Sequence, residues 1–123
     1  MDKKKVYDLE ERLIEFACSV IEIDENLPNT RAANHLGGQL LRSGTSPALN
    51  YGEAQAAESK NDFIHKMKIC LKELRETNIC LKIIEKRKML KNMSLIESVY
   101  GESKELVAIF TKSVETAKSK SKL

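Results

Sequence analysis

The sequence predicts an all-α protein, built as an up-down-up-down four-helix bundle. Three observations carry that prediction. The 123 residues include only five Gly and two Pro, while 32% are charged and 41% hydrophobic. Few breakers and many surface charges favour helices over a sheet. Apolar residues recur at alternating steps of three and four in four separate stretches. The stretches are joined by short turn-like segments, which makes consecutive helices antiparallel neighbours. A single domain is expected over residues 1–117. A basic tail follows over 118–123, where Lys alternates with Ser and no core residue occurs, so it is read as frayed or disordered.

The first helix carries Val6, Leu9, Leu13, Phe16, Val20, Ile23 and Leu27, an unbroken heptad seam. Ile14, Ala17 and Ile21 widen it towards a second neighbour. Asn26-Leu27-Pro28-Asn29 ends it, and Asn29 or Thr30 caps the next helix. That second helix, about 30–57, aligns Ala33, Leu36, Leu40, Pro47, Tyr51 and Ala54. It contains Gly37, Gly38 and Gly44, each costing ~1 kcal/mol of helix stability relative to Ala, so packing must hold it. Pro47 lacks a backbone N–H and predicts a kink or short break at 45–47. After a turn at 58–62, Ser59 or Asn61 caps a third helix over about 62–89. Its seam is Phe63, Met67, Cys70, Leu74, Leu81 and Ile84, interrupted by the polar Glu76-Thr77-Asn78. Ser94-Leu95-Ile96-Glu97 matches a capping box and opens a fourth helix with Ile96, Val99, Leu106, Phe110 and Val114 inward.

Two groups of residues carry the functional expectations. Asn50 and Glu53 share one face of the small-residue second helix, with Arg42 two turns earlier on roughly the same side. Glu76 is the candidate partner across the bundle. Arg42, Asn50, Glu53 and Glu76 are therefore expected to form one hydrogen-bonded polar cluster, of the kind that fixes register between helices. The second group follows from charge. The chain is +3 overall, but residues 1–28 are net −4 and residues 60–91 are net +6. Lys68, Lys72, Arg75, Lys82 and Lys86 fall nearest to a common stripe of the third helix. Such a stripe suits an acidic partner: RNA or DNA phosphates, or an acidic protein surface.

Enzyme signatures are missing from the sequence. It has no Walker motif, no G-x-G-x-x-G and no G-x-S-x-G. A di-iron bundle needs two Glu-x-x-His pairs, and the chain offers only Asp62-x-x-His65, with His35 isolated. No metal and no cofactor are expected. Cys18, Cys70 and Cys80 form no C-x-x-C pair and read as small hydrophobes in a reducing compartment. Without a membrane-length apolar run or a signal-peptide pattern, a soluble cytoplasmic protein is expected.

The run Gln39-Leu40-Leu41-Arg42, followed by Ser46-Pro47-Ala48-Leu49-Asn50-Tyr51-Gly52-Glu53, resembles the bacterial 23S rRNA intervening-sequence proteins, also called four helix bundle proteins. The block Asp62 to Glu73, the following Arg75-Glu76-Thr77 and the Leu27-Pro28 step fit the same pattern, over roughly residues 7–90. The resemblance implies a left-handed bundle that assembles as a ring-shaped homopentamer, with no enzymatic activity. It assigns a structural role to Arg42, Asn50, Glu53, Phe63 and Glu76. The accessory variability protein of diversity-generating retroelements is similar, and the likeness implies nucleic-acid binding through basic surface. The alternative is a protein-interaction adaptor or scaffold with no nucleic-acid role.

Overall fold

Four helices make up the computed structural model, which describes residues 8–121: α1 Leu9–Glu25, α2 Arg31–Gln55, α3 Lys60–Lys86 and α4 Met93–Ser121. Val6, the Met1 to Lys5 start and the last two tail residues lie outside the described residues. Each helix starts where a side chain can accept an orphan amide. The Asp8 carboxylate accepts from Glu11 N–H, Thr30 from Ala33 N–H and Ser59 from Asp62 N–H. At α4 the capping box is not used. Asn92 accepts from Leu95 N–H, the helix begins at Met93 and Ser94 lies inside it. Asn is as good a cap as Ser, and capping two positions earlier lengthens the helix by two residues.

α3 ends in a Schellman motif: Met89 N–H bonds the Ile84 carbonyl and Lys88 N–H the Glu85 carbonyl. Lys88 there takes a left-handed φ of 52°, a conformation that strains a residue with a Cβ. Lys88→Gly is expected to raise stability by up to about 1 kcal/mol, read as a higher urea midpoint. α4 runs through Lys118 to Ser121, where the sequence suggested a frayed tail. Nothing after Gly101 breaks a helix, and Lys118 and Lys120 complement the negative end of the dipole.

The helices pack in a square. α2–α3 is the densest seam, α3–α4 and α1–α2 follow, and α1–α4 is the sparsest. Diagonal pairs meet only through side chains, as where the Tyr51 ring stands edge-on to Phe110 at 5.9 Å and 79°. The core is one cluster that includes Leu13, Phe16, Val20, Ile23, Leu40, Leu74, Leu81, Ile84, Leu106 and Phe110. All six apolar residues read for α3's seam belong to it or pack against it, and Thr77 fills the gap between Leu74 and Leu81.

α2 is continuous through Pro47, so the alternative of a break is settled. Pro47 is buried, and its carbonyl accepts the Cys70 thiol at 3.5 Å. Two of α2's glycines have packing reasons. A Cβ at Gly44 would stand 2.7 Å from Val20 Cγ1, and one at Gly37 would collide with the Asp24 carboxylate. These contacts let α1 and α2 approach closely. Gly38 and Gly52 have no neighbour within 4 Å of a built Cβ.

Candidate functional site

The basic stripe is confined to the outward face of α3. Lys68, Lys72, Arg75, Lys82 and Lys86 are all exposed, and their spacing of 4, 3, 7 and 4 keeps them on one side of the helix. At 1.5 Å per residue the stripe is ~27 Å long. None of the five makes an ion pair among the described residues. Ile79, 58% exposed, stands in the middle of it. Beside its first half, α3 and α4 enclose an open groove of about 520 Å³, where Lys68, Lys72, Arg75 and Lys118 surround Leu71 and Ile79. Lys118 joins the cations from α4, a contribution that the reading of that segment as a tail concealed.

The expected polar cluster divides into separate contacts. Arg42 does meet Glu76, at 2.6 Å, and also Glu73 at 2.9 Å, with Gln39 as a third partner. The contact lies on the surface of the α2–α3 seam, with the Arg42 side chain 52% exposed. Arg42's hydrogen bond holds the Glu76 carboxyl below its ordinary value. The attraction is therefore complete above the usual carboxylate range and fades as pH falls through the lowered value. Asn50 instead bonds within its own helix, to the Ser46 hydroxyl at 2.8 Å and the Ser46 carbonyl at 3.1 Å. Glu53 pairs with Lys66 at 2.6 Å. Asn50 and Glu53 share a face but sit two or more turns from Arg42, and each finds a nearer partner.

The buried polar contacts lie elsewhere. The Ser43 and Thr77 hydroxyls meet at 2.9 Å in the α2–α3 seam, and Thr77 donates to the Glu73 carbonyl at 2.8 Å. That leaves Ser43 to donate to Thr77. Asn78 donates to the Ser103 hydroxyl at 2.8 Å, and Ser103 donates to the Tyr100 carbonyl. Thr77→Val is expected to cost about 1–3 kcal/mol by stranding the buried Ser43 hydroxyl. Adding Ser43→Ala should recover most of it, since removing both partners is nearly neutral. A urea-unfolding double-mutant cycle checks this, and strict additivity would refute the coupling.

The opposite corner of the bundle is acidic. The sparse α1–α4 seam holds an open groove of about 920 Å³ bordered by Glu11, Glu15, Glu97, Glu102 and Glu105. Arg12 crosses it, reaching Glu102 at 2.6 Å and Glu105 at 2.8 Å. Donating hydrogen bonds to the Glu102 carboxylate raises the guanidinium's affinity for its proton. No group of three or more metal-binding side chains occurs among the described residues. No helix among them is long and apolar enough to cross a membrane. Cys70 is buried and its thiol is pushed up to about 12, while Cys18 is exposed.

The sequence matches a family pattern over residues 5–112, that of the 23S rRNA-intervening sequence protein. The chain belongs to that family. A solved relative agrees in fold: a protein of unknown function from the S23 ribosomal protein family of Bacteroides thetaiotaomicron. It is 30% identical and superposes with a TM-score of 0.77, over 85% of this chain and 96% of its own. No curated protein matches the chain. Family membership is thus accompanied by a shared fold, and the solved relative is itself of unknown function.

Proposed function

We propose that the protein is a non-enzymatic, self-assembling helical-bundle protein that binds the RNA or DNA backbone along α3. The supporting observation is the stripe of five exposed, unpaired cations, Lys68, Lys72, Arg75, Lys82 and Lys86, on one helix face. No base-reading motif accompanies it, so contacts run to phosphate and carry little sequence information. The family takes its name from intervening sequences of 23S rRNA, a gene location that by itself assigns no RNA contact. An assembly repeats the stripe in each copy, so that weak contacts multiply.

Fluorescence anisotropy of a labelled structured RNA, titrated across a salt series, tests the reading. Five phosphate contacts predict a log–log slope near −4.5 on duplex, from ~0.9 per contact. Lys72→Glu and Lys82→Glu should each weaken binding and flatten the slope. No binding at low salt would end the proposal. Ile79 gives a second reading some support, because an exposed apolar side chain among cations also fits an acidic, amphipathic protein partner. Ile79→Ser should leave phosphate binding unchanged and remove binding of such a partner.

A further inference from the structure

The groove beside the basic stripe has an apolar floor and a charged rim. Leu71 and Ile79 of α3 and Val114 of α4 make the floor. Val114 is buried in the core and Leu71 packs against it, so the floor is held in place before anything binds. Leu71 and Ile79 stand ~12 Å apart along the helix axis, at 1.5 Å per residue. Lys68, Lys72 and Arg75 border the floor from α3, and Lys118 borders it from α4. These cations are exposed, and none forms an ion pair among the described residues. Glu76 is the acid at the edge, and Arg42 holds it at 2.6 Å, which offsets its repulsion of an anion.

Phosphate contact explains the cations, yet it leaves Leu71 and Ile79 uncovered. A duplex keeps its bases paired and stacked inside, and the A-form major groove is too deep and narrow for side chains to read. It presents sugar and phosphate to a helix face, with nothing flat and apolar to fill a groove. A single strand can turn a base outwards onto apolar side chains or an Arg guanidinium plane while its phosphates stay on the cations. The groove, about 520 Å³, has the size of a small-ligand cleft, ~300–1,000 Å³. Beyond it, Lys82 and Lys86 carry the stripe on. A chain with a charge on every unit uses both parts, whereas an acidic peptide is charged only at some of its residues.

We infer that the α3–α4 groove seats an unstacked base, so that the ligand of the basic stripe is single-stranded nucleic acid rather than duplex. The base lies on Leu71 and Ile79 with the Arg75 guanidinium against its face. The flanking phosphates lie on Lys68, Lys72 and Lys118. The aliphatic floor offers no donor or acceptor to a base edge, so the seat is indifferent to sequence. The inference rests on the backbone binding proposed above and names the form of nucleic acid that it takes.

The test is fluorescence anisotropy with two labelled probes at one salt concentration. One is an unstructured pyrimidine RNA of about 12 nucleotides, within the reach of a single-strand groove. The other is the same strand annealed to its complement. The full chain should bind the single strand at least ~five-fold more tightly, the low end of what a stacked base contributes. Ile79→Ser, at an exposed position, should remove most of that preference while leaving duplex affinity and the salt slopes unchanged. Arg75→Lys keeps the charge and loses the plane, so it should weaken single-strand binding ~two- to three-fold at the same slope. Equal affinity for the two probes, or a preference that either variant leaves intact, overturns the base seat while leaving backbone binding standing. No binding of either probe at low salt overturns both and points to an acidic protein partner.

Discussion

Phe110→Ala is expected to cost about 3–5 kcal/mol, read as a lower urea midpoint with an unchanged m-value. Phe110 is fully buried in α4 and meets Tyr51 of α2 edge-on across the diagonal of the square. The loss combines the transfer of the ring, the cavity it leaves and an aromatic pair of about 0.5–1.5 kcal/mol. Against a total of about 5–15 kcal/mol for a domain, that removes a large fraction of the stability. The diagonal helices have no backbone contact that would close the gap. A cost under about 1 kcal/mol would mean that the core collapses around the site, contrary to the rigid square described here.

Gly44→Val comes second. The first added carbon already stands 2.7 Å from Val20 Cγ1 and 2.8 Å from Cγ2, and Val20 is itself fully buried. Overpacking of this kind costs about 1–3 kcal/mol, sometimes more, even though valine is the better helix former. Combining it with Val20→Ala should restore part of the loss, because the methyl groups in conflict are then gone. Independent, additive losses would show that the glycine is present for some reason other than its approach to α1. Gly52→Val, on the open side of the same helix, serves as the control for propensity without collision.

Much of the fold was legible because helices write their inward faces as spacing. The α1 seam residues from Leu9 to Leu27 are all buried or pack against the core. Pro28 and Thr30 marked the first connection, and Ser59 the second. The α4 start misled because two good caps, Asn92 and Ser94, stand two residues apart, and spacing alone does not rank them. Thr77 could have been recovered. It lies seven residues after Cys70 and seven before Ile84, so it belongs to the seam even though it is polar. The candidate site was legible in part. The α3 cations share a face because helical spacing dictates it. Glu76 as a partner of Arg42 was legible, but the added Glu73 contact and the pairing of Glu53 with Lys66 were not, since several charged residues are within reach of an antiparallel neighbour. The pairing of Arg12 with Glu102, ninety positions away, leaves no local trace.

The sparse α1–α4 seam has a kinetic counterpart. Three of the four seams join helices adjacent in sequence, so most native contacts close over short loops. Chains with so local a contact map fold in microseconds to milliseconds. Bringing α1 to α4 is the one long-range closure, and its entropy is spent on the thinnest set of contacts. Assembly of α2, α3 and α4 is thus expected to precede the docking of α1 on α4. Arg12→Ala should then speed unfolding while leaving the folding limb of the chevron almost unmoved.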